Sequence, residues 1–246
     1  HRRHHRRRAA DRTAGGGQQY RLAVHPEQAT ADEPAETQGR NHHHEIDQDA
    51  GAPGKIVTRR AGFVDDATGF DAPFFGVSAR EARLMDPQHR LLLETSWRAV
   101  EHSGTAPTAL ANTQTGVFVG LSTHDYLGMA SSELTYPEIE AYLAIGTSGA
   151  AGAGRISYRL GLHGPAVTVD TACSSSLVAI HQACQALQLG ECDLALAGGA
   201  NVLLSPATMI TFSQSRMLSP DGKCKTFDAA ADGYVRGEGC GVVVIK

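Results

Sequence analysis

AVTVDTACSSSLVAIHQACQALQLG, residues 166–190, decides how the rest of the chain is read. AVTVD (166–170) is a short strand pattern rich in β-branched residues. SSSLVAIHQACQALQLG (174–190) reads as a helix, capped by Ser174 or a neighbour and ended by Gly190. Leu177, Ile180, Cys184 and Leu187 are expected to line its apolar face. Cys173 falls between strand and helix. A side chain at a helix N-terminus meets unpaired N–H groups and the positive end of the macrodipole, which favour a thiolate over a thiol. The same N–H groups can hold a developing oxyanion. Thr171, Ala172, Ser174 and Ser175 are small and leave room for an acyl chain, so Cys173 is the predicted nucleophile. The nucleophile elbow of α/β hydrolases needs glycine two residues either side. Thr171 and Ser175 stand there instead, which excludes that arrangement.

The same alternation of strand and helix extends outward. Pro87 opens a helix in PQHRLLLETSWRAVEHSG, with Leu93, Trp97 and Val100 at helical spacing and Gly104 past its end. TGVFVGL (115–121), CDLALAGG (192–199) and GCGVVVIK (239–246) read as further strands. GAAGAGRISYRL (149–160) reads as a helix of small residues, suited to close packing. Strands separated by helices predict a layered α/β domain.

The first 54 residues differ in kind. Residues 1–60 hold 11 Lys/Arg against 8 Asp/Glu, a balance of +3, while residues 61–246 hold 11 against 18, a balance of −7. No helical or strand-like apolar period runs from His1 to Gly54, so residues 1–54 are expected to be disordered or foreign to the domain at 55–246. His42–His44 with Glu45 lack ligands at a fixed spacing and predict no metal site. Arg2, Arg3 and Arg6–Arg8 lack an aromatic platform, and the formal net charge is −4, so no nucleic-acid partner is expected. No run approaches the ~18 apolar residues of a membrane span. The cysteines are 173, 184, 192, 224 and 240, an odd number with no CxxC pair. Neither a disulfide framework nor zinc is expected, and a reducing, cytoplasmic location is.

A thiolate nucleophile usually works with a base. His181 lies on the same helix as the nucleophile, about 12 Å further along its axis. His163 precedes the strand and falls at its far end. His89, His102 and His124 carry no motif and read as surface or core histidines. Asp228, Arg236 and Glu238 sit among glycines and are expected to form a structural ion-pair network.

VDTACSSSLVAIHQACQAL resembles the active-site segment of β-ketoacyl synthases, specifically the ketosynthase domain of type I polyketide synthases. GFVDDATGFDAPFFGVSAREARLMDPQHRLLLETSWRAVEHSG, GRISYRLGLHGPAVTVDTACSSS, ALAGGANVLLSP and LSPDGKCKTFDAAADGYVRGEGCGVVVIK follow in family order, over roughly residues 53–246. The resemblance implies a thiolase-like fold of two related α/β halves, with a mixed sheet in this N-terminal half. It also implies a homodimer paired through the strand before the nucleophile. The implied activity is that of an acyltransferase and condensing enzyme. An acyl group passes from phosphopantetheine on an acyl carrier protein to Cys173, and a malonyl-type extender then condenses with it after decarboxylation. No directly bound cofactor is implied. By the same resemblance GRISYRLG and TFDAAADGYVRGEGCG border the active site, and Thr123–Asp125 line its pocket.

The family also begins with a strand like IAIVGMGCRFPGG, which residues 1–54 lack, as a replaced or out-of-frame start would explain. Its two histidine motifs, HGTGT and NIGH, are not found among the 73 residues after Cys173. The C-terminal half and the catalytic base are therefore expected outside this chain. A fatty-acid-type synthase and a non-catalytic fragment are the alternatives; MDPQHR favours the polyketide type.

Overall fold

The computed structural model describes residues 52–135 and 141–246. Of residues 1–54, expected to be disordered, all but 52–54 lie outside the described residues, as does the histidine run at 42–44; residues 52–54 form a turn, with the Lys55 N–H donating to the Ala52 carbonyl at 3.2 Å. The elements in chain order are α1 (Ala79–Arg83), α2 (Pro87–His102), β1 (Thr115–Gly120), α3 (Asp125–Glu133), α4 (Ala141–Thr147), α5 (Gly149–Leu160), β2 (Ala166–Val169), α6 (Ser175–Gln188), β3 (Leu194–Asn201), α7 (Pro206–Gln214) and β4 (Gly239–Ile245). Helix α2 starts where proline suits the first turn, with the Asp86 carboxylate accepting from the Gln88 N–H at 2.8 Å. Gly190, at φ 71, follows the end of α6 as the sequence predicts.

The four strands form one mixed sheet in the order β2-β1-β3-β4. Strands β2, β1 and β3 run parallel, and β4 pairs antiparallel with β3. Both faces are covered, as parallel strands require. Val117 and Val119 of β1, Leu196 of β3, and Val242 and Val244 of β4 share a core with Leu92 of α2 and Ile156 of α5. Phe118, Ala195, Ala197 and Ile245 point the other way and pack with Ala179, Ala183 and Ala186 of α6. The side chains alternate between faces along each strand, so a one-residue slip of register would exchange the two cores.

The predicted apolar face of α6 is partly corrected. Ile180, Cys184 and Leu187 do pack at the edge of that core, but Leu177 is 70% exposed and the central stripe is alanine. Spacing arithmetic picks out the largest apolar side chains, whereas this helix lies too close to the sheet to accept them. Two glycines mark the close approach. A Cβ on Gly120 would stand 2.6 Å from the Ser175 carbonyl carbon, and one on Gly199 would stand 3.1 Å from the Ser176 Cβ. The N-terminus of α6 is thus seated against the carboxyl ends of β1 and β3.

Candidate active site

Cys173 lies in a 3₁₀ turn, Ala172–Ser174, that leads directly into α6. The turn is strained. Ala172 has φ 55, in the left-handed region that L-residues other than glycine enter at a cost of about 1–2 kcal/mol. Its neighbours hold it there. The Ala172 N–H donates to Asp170 Oδ1 at 2.9 Å. The Thr171 N–H donates to Ser175 Oγ at 2.9 Å, and the same hydroxyl donates to the Ala172 carbonyl at 2.7 Å. Ser175 is buried, so both of its bonds are shielded from water. Ser174 stands at the N-cap position of α6, within the expectation that it or a neighbour caps the helix, but its hydroxyl makes no capping bond and turns back to Thr171 Oγ1 and the Thr171 carbonyl. The TACSS cluster of small hydroxyl residues therefore serves the turn rather than the helix.

The turn opens on a cleft of about 800 Å³. Gly120, Asp170 and Gly199, at or just beyond the carboxyl ends of the three parallel strands, form part of its wall. Ligand sites in open α/β sheets are found at this end, outside the strands' carboxyl termini. Thr123, His124 and Asp125 line the cleft, and so do residues 234–238 of the loop before β4 and Gly239 at its start. Cys173 is exposed within it.

The five thiols are free and differ sharply in setting. Burial pushes the Cys240 thiol up to about 12. Burial also raises Cys192, helped by the acidic neighbours Asp193 and Glu191. Cys224 is exposed, and its Sγ accepts the Val235 N–H at 3.2 Å. Cys184 is half-buried, Cys173 and Cys224 are the two exposed thiols, and of these only Cys173 lines the cleft.

The histidines divide by their place relative to the cleft. His163 and His181 are exposed and do not line the cleft, as their spacing predicts. His124 does line it together with Thr123 and Asp125, as the resemblance implies, although it carries no motif of its own. It directly precedes α3, in the loop that leaves β1 on the cleft side. His89 is buried inside α2, where desolvation first, and Arg155 and His124 after it, lower its pKa to about 3. Its Nδ1 meets no partner among the described residues.

The expected network of Asp228, Arg236 and Glu238 is not formed. Asp228 is exposed, and its carboxylate accepts from the Ala230 N–H. Glu238 is buried and joins distant segments, taking the Leu203 N–H on Oε1 at 3.0 Å and the Val64 N–H on Oε2 at 3.2 Å. Arg236 is buried against Phe212, its guanidinium carbon 5.2 Å from the ring centroid. Burial lowers its pKa, with Tyr234 and Asp125 opposing. Of the two segments placed beside the site by resemblance, the one ending in GEGCG contributes residues 234–239. GRISYRLG does not line the cleft, because α5 packs beneath the sheet with Ile156 in the core.

Among the described residues no helix is long and apolar enough to cross a membrane, and no group of three or more His, Cys, Asp or Glu is placed to hold a metal ion. The family model for the β-ketoacyl synthase N-terminal domain matches residues 24–246. The chain is 57% identical over 200 residues to a component of the phenolphthiocerol/phthiocerol polyketide synthase of Mycobacterium tuberculosis, covering 81% of this chain and 11% of that protein. It is 53% identical over 200 residues to a mycocerosic acid synthase-like polyketide synthase of Mycolicibacterium smegmatis, covering 81% and 9%. The chain thus spans about a tenth of the length of these relatives. Among solved structures, the oxazolomycin ketosynthase domain OzmH KS7 of Streptomyces albus JA3453 superposes with a TM-score of 0.81 at 35% identity, over 92% of this chain and 42% of that one. The ketosynthase from module 6 of the bacillaene synthase of Bacillus subtilis 168 gives a TM-score of 0.69 at 40% identity, over 85% and 35%. The mixed sheet, the helices on both its faces and these matches agree: the chain belongs to the β-ketoacyl synthase family and carries its N-terminal domain, of the ketosynthase type found in polyketide synthases.

Proposed function

We propose that Cys173 is the acyl-accepting nucleophile of a polyketide-type ketosynthase. The observation that carries this reading is the placement of an exposed thiol on a strained turn, at the start of α6 and inside the cleft at the strand ends. The thiolate sulfur attacks the carbonyl of an acyl thioester carried on phosphopantetheine. A carbon–sulfur bond forms to Cys173, the original thioester bond breaks, and the pantetheine thiolate leaves and takes up a proton. The positive end of α6 stabilises the oxyanion of the tetrahedral intermediate. The cleft volume suits a pantetheine-borne acyl chain, which fits an acyl carrier protein as partner and makes the arm a substrate carrier rather than a resident cofactor. Condensation follows when a malonyl-type extender loses carbon dioxide and its carbanion attacks the acyl-cysteine, releasing the sulfur.

A homodimer joined through β2 fits its position at the sheet edge and the 36% exposure of Val167. Five unpaired thiols favour a reducing, cytoplasmic setting. Polyketide synthases among the relatives favour this reading over a fatty-acid-type synthase.

The test presents the purified chain with an acyl-pantetheine thioester and locates the adduct by peptide mass spectrometry. The expected result is acylation at Cys173, abolished in Cys173→Ala. With malonyl-carrier protein added, no 3-oxoacyl product is expected from this chain alone. General acid–base assistance is worth about 10²–10⁴-fold, and the family resemblance assigns it to the histidines of the HGTGT and NIGH motifs, which this sequence does not contain. Acylation at Cys224 in place of Cys173 would overturn the assignment.

A further inference from the structure

We propose that Arg236 is the anion-recognising residue of the Cys173 cleft, where its guanidinium receives an oxyanion carried by the substrate. This rests on the reading of Cys173 as the acyl acceptor. It goes further by naming the polar group that the cleft wall selects.

Arg236 has 8% of its surface exposed and lines the cleft with Cys173. An arginine is charged at any physiological pH, so burying it calls for compensation. Phe212 supplies part of this through its ring face. The rest is not supplied: Nη1 is buried and meets no acceptor among the described residues. An orphaned donor of this kind is costly to bury.

The carboxylates of the cleft are engaged elsewhere. Glu238 accepts two backbone N–H groups, Asp170 Oδ1 accepts the Ala172 N–H, and Asp125 Oδ2 accepts the Ser205 N–H at 3.2 Å. Asp125 is the acid whose field reaches Arg236, and it tempers that charge without bonding to it. The result is a fixed, desolvated cation with an unmet donor, on the wall of a cleft whose proposed substrates carry anions. Planar guanidinium suits both a carboxylate and a phosphate. The malonyl-type extender provides the first and the phosphopantetheine arm the second.

The test compares two alkylating agents of similar shape. Iodoacetate carries a carboxylate; iodoacetamide is neutral and corrects for any change in the thiol itself. The ratio of their rates at Cys173 is read by peptide mass spectrometry. Arg236→Met is expected to lower the iodoacetate-to-iodoacetamide ratio by roughly fivefold or more, and Arg236→Lys by less. A second measurement uses the unaltered chain and is independent of whether the variants fold. Malonate or inorganic phosphate should slow iodoacetate labelling of Cys173 saturably, and malonamide should not. Protection by malonate alone assigns the carboxylate, and protection by phosphate alone assigns the arm. An unchanged ratio in a folded Arg236→Met, or anions no more protective than malonamide, would overturn the proposal. The acyl-transfer experiment decides the role of Cys173 separately, since acylation at that residue can succeed while the anion preference fails.

Discussion

The two faces of the sheet do different work with different side chains. Toward α2 and α5 the strands present Val117, Val119, Leu196, Val242 and Val244. Toward α6 they present Phe118 and Ile245, but Ala195 and Ala197 face the alanine stripe of the helix, with Gly120 and Gly199 toward the strand ends. Large side chains bury more apolar area, about 1.5–3 kcal/mol for each fully buried Val or Leu. Small ones stabilise less and let backbones approach. The first face is therefore the main source of stability, and the second fixes where the N-terminus of α6, and with it Cys173, stands. Substitutions on the two faces should separate stability from reactivity.

The largest effect is expected at the close-packed face. In Gly120→Val the new side chain begins 2.6 Å from the Ser175 carbonyl carbon, which belongs to backbone and cannot swing aside. We expect a stability loss of about 3 kcal/mol or more and a fall in Cys173 acylation of roughly 100-fold or more, because the turn and the helix start must move together. Urea unfolding and adduct mass spectrometry measure the two. If acylation survives intact, the close approach does not position the thiol.

Next comes Leu92→Ala on the opposite face. Leu92 is wholly buried, so the loss should be about 2–5 kcal/mol, from lost transfer energy and the cavity left behind. The rate at which Cys173 is alkylated in the folded protein should stay within about twofold. A drop comparable to that of Gly120→Val would erase the distinction between the faces.

The smallest effect, taken one pH unit at a time, belongs to the polar flaw in the large-residue core. The folded pKa of His89, near 3, lies below the ordinary 6.5, so the unfolded chain binds more protons between those values. Stability contributed by the neutral ring is complete above pH 6.5 and is lost as pH falls toward 3, at up to about 1.4 kcal/mol per unit. Unfolding midpoints at several pH values should show this slope, and His89→Gln should flatten it. An unaltered slope in that variant would move the acid sensitivity to another group.

Much of this was legible in the sequence for a local reason. The helix from Pro87, the helix of small residues at 149–160 and the strands at 115 and 166 all follow from spacing, caps and glycine stops within a few residues. The position of Cys173 between strand and helix was legible on the same terms. What escaped was non-local. Nothing near Leu177 shows that the alanines, not the leucine, face the sheet, because that depends on glycines in β1 and β3. His124 carries no motif of its own, and its place in the cleft was legible by family resemblance but not by spacing, since only the fold brings the end of β1 beside the cysteine turn. The imagined Asp228–Arg236–Glu238 network failed because Glu238 is claimed by the N–H groups of Val64 and Leu203, which are far away in sequence. One usable signal was available: glycines closing two strands, in FVGLS and LAGGAN, mark where another backbone comes close.

The left-handed Ala172 has a consequence for how sharply the nucleophile is presented. Glycine at that position would enter the same conformation without the steric cost. It would also reach many other conformations, so the sulfur beside it would wander over a wider range. The alanine methyl closes most of those alternatives, and Asp170 and Ser175 hold the one that remains. The turn thus occupies a basin that is higher in energy but narrower, which limits the directions from which the sulfur can meet an incoming carbonyl.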